Sequence, residues 1–252
     1  MISRDELVTF LDQFLCTNEI KDASWNGLQF EGAEQIERIL FAVDAGIETF
    51  EAAKKERAQM VIVHHGIYWR PVNPSLNRWN KKRIACLYDS DISLYASHLP
   101  LDRHPEVGNN AQLIKMLGAD KREGFMFVDG KNVSFIGEYA EPIPVEEFIR
   151  RVMEKINPES KVFTFGKEKI SRFAVLSGGG GNAECTAAVE MGMDAYLTGD
   201  STELYHLGQD AGMHLVFSGH HATERPGILA LMKTVDSRFD VETVFVDIDT
   251  KL

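Results

Sequence analysis

Three stretches of this 252-residue chain run through four or five mostly apolar residues and stop on histidine: Met60-Val61-Ile62-Val63-His64-His65-Gly66, Ser93-Leu94-Tyr95-Ala96-Ser97-His98 and Leu215-Val216-Phe217-Ser218-Gly219-His220-His221. Two of them add a carboxylate four residues on, Asp102 after His98 and Glu224 after His220. Neutral imidazole is the commonest metal donor among side chains, and carboxylates complete a nitrogen and oxygen set. His64, His65, His220, Asp102 and Glu224 are more donors than one closed tetrahedral zinc site takes. A dinuclear centre with a bridging carboxylate, its ions about 3.5–4 Å apart, uses that many and leaves positions for water. Sulfur-free ligation fits two divalent ions of Zn, Mn, Fe or Co and selects none of them. The pattern therefore proposes a dinuclear metal site with positions open to water. Each donor also has a plainer reading: a strand-end histidine hydrogen-bonded in its loop, a turn aspartate at Asp102, a helix-capping carboxylate at Glu224.

The elements that would position these residues are buried strands, each delivering an imidazole at its carboxyl end, where open α/β sheets bind ligands. Pro226 fits only near a helix start, so the pattern expects His220 in a loop, Thr223 near the N-cap and Glu224 in the first turn of a helix towards Val235. The chain also resembles itself. Ile39 to Asp44, a helical segment Ile47 to Glu56 and the strand Met60 to Val63 recur in pattern as Phe173 to Ser177, Ala183 to Met191 and Ala195 to Thr198. Both copies read as βαβ units. Amphipathic helices are expected near Glu6 to Cys16, Lys81 to Asp89, Asn110 to Leu117 and Val145 to Ile156, with a hairpin across Gly124 to Ile136. The expectation is an α/β fold: two similar three-layer domains from an internal duplication, mostly parallel sheets, spanning residues 1–126 and 127–252.

Composition narrows the class. A 44% apolar share without a membrane-length run, and a start lacking a secretory pattern, point to the cytoplasm. Three scattered cysteines without CxxC spacing argue against a disulfide framework or thiolate finger. A net charge of −11 argues against a nucleic-acid binder but leaves a small anionic substrate open if cations supply positive charge. Ser177-Gly178-Gly179-Gly180-Gly181-Asn182 lies between a strand and a helix. Its amides either cradle phosphate or make a tight turn needing positive φ. Tyr68, Trp69 and Trp79, just past His64-His65, read equally as a lid or as an interface.

Val63-His64-His65-Gly66, Ser97-His98-Leu99-Pro100-Leu101-Asp102, Leu197-Thr198-Gly199-Asp200 and Gly219-His220-His221-Ala222-Thr223-Glu224-Arg225 together resemble the NIF-three-like family, known in bacteria as GTP cyclohydrolase I type 2 homologues. The likeness runs from Trp25-Asn26-Gly27-Leu28-Gln29 to the C-terminus. Where the family often has Asp-Asn-x-Gly-Leu, this chain has Ser24-Trp25-Asn26-Gly27-Leu28. The resemblance implies two similar α/β domains, a dinuclear metal centre and a toroidal homohexamer. It assigns the ligands to His64, His65, Asp102, His220 and Glu224 and leaves His98 near the site, a candidate acid or base. The implied reaction is opening of the GTP purine ring to formate and dihydroneopterin triphosphate. The alternatives are a phosphoester hydrolase, or a metal-binding oligomeric scaffold or partner-binding protein without that activity.

Overall fold

The computed structural model describes residues 1–200 and 202–252. In chain order the first elements are β1 (Ile2–Ser3), α1 (Arg4–Phe14), β2 (Gly27–Phe30), β3 (Gln35–Ile36), β4 (Arg38–Asp44), α2 (Ile47–Glu56), β5 (Met60–His65), α3 (Arg78–Asp89) and β6 (Ser93–Ala96). There follow α4 (Leu99–Asp102), α5 (Asn109–Met116), β7 (Asp120–Val128), β8 (Lys131–Pro144), α6 (Val145–Lys155), β9 (Lys161–Phe163) and β10 (Lys169–Leu176). The chain closes with α7 (Asn182–Glu190), β11 (Ala195–Thr198), α8 (Tyr205–Ala211), β12 (His214–Phe217), α9 (His220–Arg238) and β13 (Glu242–Phe245). No helix among the described residues is long and apolar enough to cross a membrane.

Two compact units form. The first comprises Met1–Leu101 with Ile228–Ile248, the second Asp102–Gly227 with Asp249–Leu252. This differs from a division at 126/127, for two physical reasons. Strand β13 pairs in parallel with β4, which returns a C-terminal segment to the first sheet. Helix α5 and its C-capping Leu117 bury Leu113, Ile114 and Leu117 in the same core as Phe135 and Phe148, well before residue 126.

In the first unit the sheet order is β13-β4-β5-β6-β2, with β13, β4, β5 and β6 parallel and β2 antiparallel at the edge. The runs Ile39 to Val43, Met60 to Val63 and Leu94 to Ala96 are buried throughout, as a parallel sheet covered on both faces demands. Phe50 of α2 and Leu87 of α3 pack fully buried into this core, each worth about 1.5–3 kcal/mol of transfer free energy. Parallel register sets Asp44 opposite His65 and Val63 opposite Ala96, so the polar strand ends arrive together.

The second unit has a six-stranded sheet of order β7-β8-β10-β11-β12-β9. Here β10, β11 and β12 are parallel, and β7, β8 and β9 run antiparallel to their neighbours. The expected hairpin is β7-β8. It closes through Asp129 and Gly130, with φ 48° and 76°, the left-handed pair of a type I′ turn. Each sheet thus contains one of the expected parallel βαβ units, β4-α2-β5 and β10-α7-β11, an arrangement compatible with duplication.

Pro226 lies inside α9, which starts at His220 and not after it. The proline leaves the Ala222 carbonyl without its i+4 donor, and the next amide also leaves the helical ladder: the Gly227 N–H goes to Asn109 Oδ1 at 2.7 Å. Upstream, the Thr223 amide donates to the Gly219 carbonyl at 3.1 Å, closing the first turn. His220 and Glu224 are therefore an i, i+4 pair on one helical face.

Candidate metal centre

In the first unit, β5 ends on His64 and His65, and His98 follows β6 by two residues. Their rings gather with centroids 4.5 Å (His64–His65), 5.0 Å (His64–His98) and 5.6 Å (His65–His98) apart. One ring nitrogen from each lies within 4.8 Å of the others, close enough for one metal ion to take all three. Each Nδ1 faces a pure acceptor: the Ser97 carbonyl at 2.9 Å from His64, Asp44 Oδ1 at 2.8 Å from His65, and Asp22 Oδ1 at 2.9 Å from His98. A neutral ring so placed carries its proton on Nδ1 and its lone pair on Nε2, the tautomer a metal requires.

Asp22 is the most elaborated of these supports. Its carboxylate also accepts from the amides of Ser24 and Leu99, both at 3.0 Å, and from Asn26 Nδ2 at 2.9 Å. Burial pushes its carboxyl up, but the hydrogen bonds from His98, Asn26 and Ser24 outweigh burial and hold it at about 2. Asn26 Oδ1 in turn accepts the His98 amide at 2.7 Å. Trp69 completes the wall, edge-on to His98 at 5.0 Å and tilted against His65 at 5.7 Å, its indole N–H donating to the Gly66 carbonyl at 3.0 Å. It is half-buried against the imidazoles, whereas Trp79 is 55% exposed and carries the Arg83 guanidinium over its ring.

In the second unit, Glu224 is almost wholly buried, and one of its oxygens lies within 4.8 Å of a carboxylate oxygen of Asp102. His220 Nε2 is 3.2 Å from Glu224 Oε1, and His220 Nδ1 is 2.9 Å from Asp200 Oδ1. Burial lowers the His220 imidazolium, but Glu224 and Asp200 outweigh it and raise it to about 9. Asp102 Oδ1 accepts from Asn109 Nδ2 and Ser177 Oγ, both at 2.9 Å, which fixes that carboxylate. Asp200, Gly219, His221 and Arg225 line a cleft of about 890 Å³.

The glycine run resolves as a turn. The amide of Ser177 goes to Asn110 Oδ1, that of Gly178 to Thr223 Oγ1 and that of Gly181 to Glu184 Oε2, so these donors are committed within the protein. Gly178 sits at φ +65°. A methyl there would overlap Glu224 Oε1 and lie 3.0 Å from His220 Nε2. Glu224 and His220 fill the side-chain space at Gly178, as Tyr196 Oη and Thr198 Oγ1 do at Gly180.

The sequence-expected donors thus fall into two sets, His64 and His65 joined by His98, and Asp102, His220 and Glu224. Sequence reasoning passed over Asp22, Asp44 and Asp200, which orient histidines, and Asn109 and Ser177, which hold Asp102. Two carried a signal: Asp44 ends an apolar strand, and Asp200 closes Leu197-Thr198-Gly199-Asp200 after β11.

A sequence profile of the family described as Duf34/NIF3 (NGG1p interacting factor 3) matches residues 2–251. A GTP cyclohydrolase 1 type 2 homolog of Pyrococcus horikoshii is 43% identical over 253 residues, covering 100% of both chains. One from Pseudomonas aeruginosa is 37% identical, covering 98% of this chain and 97% of its own. Among solved structures, protein ybgI, described as of unknown function, has a TM-score of 0.92 at 33% identity, covering 100% of both chains. TTHA1606 from Thermus thermophilus has 0.89 at 30%, also covering 100% of both. HcgD from Methanocaldococcus jannaschii, 0.85 at 23% over 97% of each chain, shares the fold.

Proposed function

The chain belongs to the Duf34/NIF3 family, and from that membership and the donor geometry we propose that it is a dinuclear metal-dependent hydrolase of a purine nucleotide. GTP, opened to formate and dihydroneopterin triphosphate, is the substrate to test. The observation that carries the reading is the pair His64 and His65, each held at Nδ1 by an acceptor, with one ring nitrogen of each and of the neighbouring His98 within 4.8 Å of the others. A merely structural histidine has no need of such alignment, whereas metal ligands routinely have it.

In this reading His64, His65, Asp102, His220 and Glu224 hold two divalent ions, with buried Glu224 as the shared carboxylate. The donor set fits, since it combines imidazole nitrogens and fixed carboxylates without sulfur, suited to Zn, Mn, Fe or Co. When bound, such a pair supplies Lewis acidity and an activated water. The protein's own part is orientation and proton handling. Asp22 and Asp44 fix the rings of His98 and His65, and Asn109 and Ser177 fix Asp102. Asp22 keeps the His98 proton on Nδ1, so that Nε2 can accept a proton from the attacking water and return it to the departing ring nitrogen. Trp69 closes one side of His98 to solvent.

Assembly into a homohexameric ring is part of the proposal, with exposed Trp79 a candidate contact. Light scattering should give a mass near six chains; a clean monomer refutes the ring. For the activity, chelation should abolish formate release from GTP and restored metal should return it. If fully metallated protein leaves GTP intact while hydrolysing simple phosphoesters, or hydrolyses nothing, the cyclohydrolase reading gives way to a phosphoester hydrolase or a metal-binding scaffold.

A further inference from the structure

The first unit holds a pocket of about 450 Å³ that the proposed ligand set does not use, walled by Lys21, Asp22, Ser24, Trp25, Asn26 and Arg70. Its most unusual surface is Trp25, 48% exposed. Leaving an indole half in water forfeits transfer free energy, and here the ring is also held in place. The Arg70 guanidinium sits over it at 4.7 Å, and Tyr68 leans on it at 6.4 Å. The backbone is tied on both sides: the Trp25 amide donates to the Tyr68 carbonyl at 3.1 Å and the Arg70 amide to the Ala23 carbonyl at 2.7 Å. Arg70 Nη1 donates to the Asp22 carbonyl at 3.0 Å. An exposed, immobilised indole beside a guanidinium is a preorganised stacking surface.

Two further observations define what would stack there. Asp22 directs its carboxylate away from solvent, with a side chain only 3% exposed and hydrogen-bonded to His98, while Arg70 brings a cation to the pocket wall. Ser24, 2% exposed on the pocket wall, has a hydroxyl with no hydrogen-bond partner among the described residues. A flat ring with an anionic substituent satisfies all of these features. We propose that this pocket is the subsite for the aromatic heterocycle of a nucleotide, stacked on Trp25, with Arg70 receiving its phosphate. The inference deepens the hydrolase reading, because Asp22 joins the pocket wall to the His98 ring.

The test is binding of GMP to chelator-treated and to metal-loaded protein, followed by calorimetry and tryptophan quenching, with inorganic tripolyphosphate as the ring-free probe. GMP should bind both forms more tightly than tripolyphosphate. Trp25→Ala should weaken GMP roughly tenfold or more, in line with the stacking free energy of one base, while Trp25→Phe retains binding and both variants keep their metal content. Unchanged GMP affinity in Trp25→Ala overturns the proposal. So does a Trp25→Ala effect seen only on assembly mass, which would make this face a contact between copies. GMP binding through Trp25 without GTP turnover would leave this subsite standing and remove the hydrolase reading. GTP turnover with an unchanged KM in Trp25→Ala would do the reverse.

Discussion

Replacing Gly178 by alanine separates backbone strain from displacement of metal donors. At φ +65° an alanine pays about 1–2 kcal/mol for the left-handed conformation. For a chain of this size that lowers Tm by roughly 2–8 °C. The added methyl also meets Glu224 Oε1, lies 3.1 Å from Glu224 Cδ and 3.0 Å from His220 Nε2, so the donor pair must move. Gly130 supplies the control. It has φ +76° in the β7-β8 turn, and a methyl there meets nothing within 4 Å. Gly130→Ala should therefore show the strain alone, a comparable Tm loss with wild-type metal affinity. Gly178→Ala should show that loss and, in addition, metal affinity reduced about 10- to 100-fold, the range for disturbing a group that orients ligands. Calorimetric titration with Zn or Co at fixed pH, beside thermal melts of both variants, reads the two effects separately. Equal metal affinity in the two variants would refute the argument that Gly178 makes room for Glu224 and His220.

Further outcomes follow from the same geometry. Asp44→Asn should weaken metal binding about 10- to 100-fold, whereas Asp22→Asn should lower kcat with metal content near that of wild type, both leaving the secondary structure seen by circular dichroism intact. Asp22→Asn should also lose about 1–3 kcal/mol in urea unfolding, because its amide faces donors that the carboxylate accepted. Glu224→Ala should lose more than one equivalent in elemental analysis, since a shared ligand serves both ions, whereas His64→Ala should mainly weaken one. Asp194 tests pH dependence away from the site. Burial pushes its carboxyl up, but Lys167 and the amides of Ser171 and Arg172 outweigh burial and hold it below its ordinary value. A folded-state value below the unfolded one means stability that is present above about pH 4 and lost as pH falls through the folded value. The advantage of wild type over Asp194→Asn, about 1–2 kcal/mol once exposure of Lys167 is allowed for, should shrink towards zero below pH 3–4 in urea titrations.

These strand-end histidines were visible in the sequence because buried strands leave a strong local trace: an apolar run that stops on a polar residue marks the carboxyl end of a parallel strand. Hence β5, β6 and β12 and the histidines after them were readable, as were α2, α6 and the β7-β8 hairpin with its Asp129-Gly130 turn. What stayed hidden depends on contacts between distant segments. Asp22 and His98 are 76 residues apart, and nothing in either neighbourhood names the other. The unit boundaries were obscured by β13, whose short run joins β4 across some two hundred residues of chain. Pro226 misled because the rule that places proline at helix starts is local, whereas the amide that follows it is held by Asn109, 118 residues away. The glycine run was ambiguous for the same reason: only the fold shows Glu224 occupying the space above Gly178.

The most direct test of the central claim is a stoichiometric titration of chelator-treated protein with a single divalent metal, measuring bound metal and formate released from GTP in the same samples. A dinuclear hydrolase predicts saturation at two equivalents per chain, with formate release appearing as the second equivalent fills. Saturation at one equivalent, or two bound equivalents with GTP recovered intact, would contradict it.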